Sequence, residues 1–183
     1  MSSYIAGFYG KLPSHGDFVK YRLPLKFVNQ WDQWLLSSMS TPRFRERWNP
    51  ASPTARPCFF YLSKGVIDTR RWQGALLPSH DLHKRIFPIT IAFQVPSLAT
   101  ASSHAQALEV LQEWIWAFQV HEYDAPQLES AMQEQVAKYE ISGASLIASI
   151  KEWCAPFSLW WTLQNEPPIK NAGPRLPPSD YFL

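Results

Sequence analysis

This 183-residue sequence predicts an α+β domain: a mainly antiparallel sheet flanked by helices on its faces. Three observations carry that reading. Short apolar and aromatic runs, bounded by Gly, Pro and Ser, recur through the first half of the chain, as strands do. Longer segments carry apolar residues at steps of three and four, as amphipathic helices do. The order, with strands first, helices after them and a late strand, fits an α+β layering better than alternating βαβ units. The length suits one compact unit over 1–183. A chain of this size buries roughly 70% of its unfolded surface and needs neither metal nor disulfide to hold a core.

Taken in order, residues 4–9 (YIAGFY) read as a short strand, and 10–17 (GKLPSHGD) as a structured loop shaped by Gly10, Pro13 and Gly16, with Asp17 placed to cap a backbone turn. Pro24 suits the first turn of a helix over 24–39, whose face is Phe27, Trp31, Trp34, Leu35 and Ser38. Residues 43–48 suit a short helical turn, and prolines 50, 53 and 57 an extended connection. Further strands are expected at 58–63, 72–77 and 86–95, with Lys64-Gly65 as a turn and Pro88 marking an edge or bulge. A polar linker leads to a helix over 105–120 and a second over 125–139, the latter opened by a capping-box pair, Asp124 and Gln127, with Pro126 in the first turn. Residues 144–153 suit a short helix, and 157–163 (FSLWWTL) a late strand.

Composition excludes several classes. With 46% hydrophobic and 17% charged residues, the chain is too apolar for a disordered protein. Nine tryptophans predict a bulky core and an aromatic docking surface. The net charge of +2 lacks the basic excess of a nucleic-acid binder; Arg43, Arg45 and Arg47, Arg70 and Arg71, and Lys84 and Arg85 read as solvated surface charge. Cys58 and Cys154, far apart and without CxxC spacing, read as free thiols in a reducing compartment. The opening residues show no secretory signal pattern, and the apolar run near Ile86–Val95 is too short to span a bilayer, so a cytoplasmic protein with no membrane insertion is expected.

The chemical motifs fail on inspection. Gly10-Lys11 resembles the end of a phosphate loop, but position 5 is Ile and position 12 is Leu, so both the glycine cradle and the magnesium-binding hydroxyl are missing. His80-Asp81-x-His83 holds possible metal ligands without a third partner at a familiar spacing. Ser14, His15 and Asp17 have the residue types of a catalytic triad, yet sequence neighbours rarely converge as a triad must, and no GxSxG elbow is present. No catalytic residue, metal or cofactor is expected. The competing reading is a hydrolase-type enzyme with an unrecognised site in the 10–17 and 78–88 loops.

The string GFYGKLPSHGDFV (7–19) closely resembles the opening of the TagF/ImpM family. The resemblance continues through Arg22-Leu23-Pro24, Phe27, Trp31-Asp32-x-Trp34-Leu35, Trp48, Pro57, Trp72-x-Gly74, Pro78-Ser79-x-Asp81, Arg85, Phe87-Pro88 and Ser158-Leu159-Trp160-Trp161. Lys84 departs from it, standing where the family has a small residue, often glycine. The resemblance implies a longin- or profilin-like sandwich. It also implies a non-enzymatic, post-translational regulator, a repressor of type VI secretion system assembly or firing. Such a protein would bind the system's forkhead-associated (FHA) scaffold protein, with a functional link to a threonine kinase and phosphatase pathway. The residues expected to meet the partner are Lys11, Pro13, Ser14, Asp17, Arg22, Asp81 and Arg85. An architectural role is the alternative, with Asp81 and Arg85 pairing with each other or with Lys11 and Asp17 to fasten two loops.

Overall fold

Runs such as CFFYL (Cys58–Leu62) and ITIAFQV (Ile89–Val95) lack the apolar–polar alternation of a half-exposed strand, and the architecture explains why: the sheet is covered on both faces. The computed structural model describes residues 5–95, 123–142, 156–162, 169–172 and 175–178. Among them the strands are β1 (Ala6–Gly10), β2 (Val19–Tyr21), β3 (Cys58–Leu62), β4 (Arg71–Leu77), β5 (Ile89–Val95), β6 (Phe157–Trp161) and β7 (Ile169–Ala172). The helices are α1 (Leu25–Met39), α2 (Pro42–Arg47) and α3 (Ala125–Ser142). The strands form one seven-stranded sheet in the order β2-β1-β5-β4-β3-β6-β7, and every pairing is antiparallel. The predicted α+β sandwich is the fold found.

Side-chain alternation along the strands sorts the core into two layers. Tyr9, Phe60, Leu62, Trp72, Leu76 and Ala92 face Phe27, Trp31 and Leu35 of α1 and Phe44 of α2. Phe8, Phe59, Ala75, Leu77, Ile91 and Phe93 face Leu128 and Met132 of α3. The α1 layer is centred on Trp31, fully buried, with Phe27, Trp34, Phe60 and Trp160 ring centroids 4.8–6.0 Å away. Its indole N–H donates to Thr90 Oγ1 at 2.7 Å, so the one polar atom of the ring is satisfied inside the core. Burying a side chain such as Phe27 stabilises the fold by about 1.5–3 kcal/mol.

Local signals set the element ends. Pro24 sits just before α1 with φ −58° and ψ 144°, and its carbonyl accepts the Val28 N–H at 3.0 Å. At the start of α3 the predicted capping box forms: the Gln127 N–H donates to Asp124 Oδ1 and the Asp124 N–H to Gln127 Oε1, each at 2.9 Å. Strand β5 begins at Ile89, three residues later than the apolar run suggests, because β5 is central and Pro88 has no N–H for the ladder. The connection after α2 is not extended, as its prolines suggested. It turns through Ser52 N–H to Asn49 O (2.9 Å) and Ala55 N–H to Ser52 O (3.1 Å), with the Asn49 side chain holding the Ala51 N–H. Cys58 is a buried free thiol. The helices expected at 105–120 and 144–153, and Cys154, lie outside the described residues.

Candidate functional site

Strands β1 and β5 are hydrogen-bonded neighbours, with Tyr9 opposite Thr90. The loop that follows β1 and the segment that precedes β5 therefore leave the sheet side by side. Gly10 makes the closeness possible: its φ is +147°, and a Cβ there would lie 2.3 Å from the Pro88 carbonyl oxygen. Beyond it the two segments are stitched by main chain and side chain. Ser79 Oγ donates to Lys11 O at 2.7 Å, the Leu82 N–H to His15 O at 2.8 Å, and Arg85 Nη2 to Gly16 O at 2.7 Å.

Asp81 is the centre of the stitching and has no exposed surface. Its Oδ2 accepts from Lys11 Nζ at 2.8 Å and from Arg85 Nε at 2.6 Å. Its Oδ1 accepts the backbone N–H groups of His83 and Arg85, each at 2.9 Å. Burial alone would raise this carboxyl. The hydrogen bonds from the Lys11 ammonium and from the Arg85 backbone and side chain outweigh burial and hold it well below the usual carboxylate range. Lys11, 7% exposed, also sits 5.0 Å from the centroid of the Phe18 ring, so the buried ammonium has a carboxylate and an aromatic face as neighbours.

Phe18 extends the site into an aromatic patch. It stacks on Tyr9 at 5.7 Å and meets Phe87 edge-on at 4.8 Å, and 39% of it remains exposed. The Tyr9 hydroxyl donates to Asp32 Oδ1 of α1 at 2.5 Å, which ties the patch to the helix. Burial, that hydrogen bond and the nearby negative charges push the Tyr9 hydroxyl above its ordinary range.

The structure places the expected contact residues unevenly. Lys11 and Asp81 are buried in the lock, and Pro13 is half-buried. Ser14, Asp17 and Arg85 stand exposed on its outer side. Asp17 does not join the ion pairs; its carboxylate accepts the Phe18 N–H at 2.8 Å. Arg22 lies apart from the lock, just past β2, with φ +51°. Sequence reasoning missed Ser79 and Phe18 as members of the site. The string Pro78-Ser79-x-Asp81 held the only signal for Ser79, and nothing local announced that Phe18 would cover Lys11. It also left Lys84 unexplained. Its φ of +61° is a left-handed conformation that glycine adopts without strain, which fits the small residue expected at that position.

The motifs with chemically suggestive residue types are arranged otherwise in space. Lys11 faces Asp81 rather than an open loop. Ser14 Oγ and His15 Nδ1 are 3.0 Å apart, but Asp17 is turned to the Phe18 amide and does not orient the imidazole. His80 Nδ1 lies 2.9 Å from the Asp81 carbonyl, and its Nε2 3.4 Å from Lys84 Nζ. Among the described residues no three metal-ligating side chains gather, and no helix is long and apolar enough to cross a membrane.

The sequence from 7 to 140 matches the model of the TagF N-terminal domain, described as type VI secretion system-associated. Among solved structures, the crystal structure of PA0076 from Pseudomonas aeruginosa PAO1 is similar, with a TM-score of 0.62 and 23% identity over 97% of this chain and 91% of that one. At that identity the likeness is one of fold. No curated protein matches.

Proposed function

This chain belongs to the TagF N-terminal domain family of type VI secretion-associated proteins, and from that premise we propose that it is a non-enzymatic regulator that acts by docking on another protein. It acts in the cytoplasm, after translation, and represses assembly or firing of the secretion machine. Its partner is the FHA-domain scaffold protein, and its action is linked to the threonine kinase and phosphatase pathway.

The observation that carries the reading is the state of Asp81. A general acid or base needs a proton affinity near the working pH and a free oxygen toward substrate. Asp81 instead accepts four hydrogen bonds, is fully buried and is held strongly ionised. The one carboxyl clearly shifted among the described residues is thus committed to fixing two loops. The fixed loops present Ser14, Asp17, Arg85 and the half-covered Phe18 as one rigid surface. Rigid presentation lowers the ordering cost of association.

The test uses exposed residues outside the ion pairs. Ser14→Arg and Asp17→Lys, singly and together, should leave the melting temperature unchanged, abolish capture of the FHA scaffold from cells expressing type VI components, and release effector secretion from repression. Capture and secretion that match wild type in the double variant would remove the loop surface from the docking role.

A further inference from the structure

The corner between the edge strand β2 and the start of α1 holds features that the lock does not use. A shallow depression of about 200 Å³ opens there, lined by Lys20, Tyr21, Arg22, Leu23, Leu25 and Val28. That volume accepts one aliphatic or aromatic side chain and falls short of the roughly 300–1,000 Å³ of small-molecule sites. Leu25 is 66% exposed at its rim, the most exposed large apolar side chain among the described residues.

Charge and backbone add to this. Lys20 and Arg22 line the depression, Lys26 is exposed in the adjoining helical turn, and among the described residues no acidic one stands in the lining or in the first turn of α1. Arg22 is held at φ +51° by a three-residue turn in which the Leu23 N–H donates to the Tyr21 carbonyl at 2.7 Å. This left-handed turn is rare and strained for a residue other than Gly or Asn. Arginine stands where glycine would be easier, with its side chain exposed. Strand β2 pairs only with β1 among the described residues, so its other edge has backbone groups available for a partner strand. Lys20 and the bend at Arg22 limit that edge to a few residues, which restricts any added strand to a short one.

We propose that this corner is a docking groove for a short, extended, acidic segment of a partner protein. The segment adds to the edge of β2, places one apolar side chain in the depression beside Leu25, and sets carboxylates against Lys20, Arg22 and Lys26. The proposal rests on the docking reading above and names the chemistry of the partner. A nucleic acid fits less well: its affinity comes from a run of phosphate contacts, whereas this corner offers few cations around an apolar centre.

The probe is a fluorescein-labelled synthetic peptide of alternating Glu and Leu, with a Lys–Leu peptide and a thymidine oligonucleotide as controls. Wild-type protein should bind the Glu–Leu peptide saturably, more tightly at low salt, with amide resonance shifts confined to residues 20–28 and their β1 neighbours. Arg22→Glu and Leu25→Glu should each weaken binding about tenfold while the melting temperature holds. Absent saturable binding, undiminished binding by both variants, resonance shifts elsewhere, or preference for the oligonucleotide each overturns the groove. Scaffold capture surviving failure of the peptide refutes this site alone; peptide binding with no capture refutes the regulatory role alone.

Discussion

In the lock, Lys11 and Asp81 are withdrawn from solvent, and Asp81 accepts four hydrogen bonds. At the β2–α1 corner, Lys20, Arg22 and Lys26 stand exposed, and among the described residues no acid lines the depression between them. Lys11 of the lock and Arg22 of the corner are only 11 positions apart in sequence, whereas Asp81 comes from a separate segment. The two regions differ in whether the charge has a partner among the described residues. Charge matched internally fixes geometry, and its removal is felt as lost stability. Unmatched charge at the surface contributes little to stability and is free for association.

The sharpest way to break this contrast is Asp81→Ala. It strands the buried Lys11 ammonium and frees both loops, so we expect a loss of about 3–5 kcal/mol in urea unfolding. A loss below about 1 kcal/mol would mean that the main-chain stitching holds the loops unaided.

The pH dependence tests the same point with a smaller effect. The Asp81 carboxyl titrates lower in the folded state than unfolded. The stability it contributes is therefore fully present above the ordinary carboxyl range, about pH 4, and is lost as pH falls through the folded-state value. Unfolding free energy measured between neutral and strongly acidic pH should fall less steeply in Asp81→Asn than in wild type. Equal slopes would place the acid sensitivity elsewhere.

The smallest effect separates the two strained residues. Arg22 and Lys84 are the non-glycine residues with positive φ among those described. Glycine at either position relieves the left-handed conformation and adds backbone entropy to the unfolded chain, for a net gain of up to about 1 kcal/mol. Both Arg22→Gly and Lys84→Gly should melt slightly higher. Only Arg22→Gly should lose affinity for the acidic peptide. If neither variant is stabilised, strain is no argument for a purpose at Arg22.

How much of this was legible in the sequence depended on how local each signal was. The three-and-four spacing of Phe27, Trp31 and Leu35 marks α1 because each residue meets the sheet from one helix face. The Asp124–Gln127 pair marks the start of α3 because capping is completed within one turn. Strands β2 and β7 carry no such local signal. Val19–Tyr21 is too short for a periodic pattern, and IKNA at Ile169–Ala172 lacks apolar alternation; both are strands because a neighbour supplies their hydrogen bonds. At the site, the family resemblance points to Lys11, Asp81 and Arg85 and leaves their pairing open. The structure joins Asp81 to both cations and leaves Asp17 outside: the Arg85 pair is local, four positions on, and Asp17 is taken by the next residue's amide, whereas the Lys11 pair is set by how β1 and β5 align.

That alignment also fixes when the lock can close. Lys11 and Asp81 are 70 positions apart, and their approach depends on β1 having found β5 across the sheet. Pairings so distant form after local helices and hairpins. The ion pair is then a late seal on a nearly finished molecule: it adds little to the speed of folding and acts chiefly to slow the first opening of the native state.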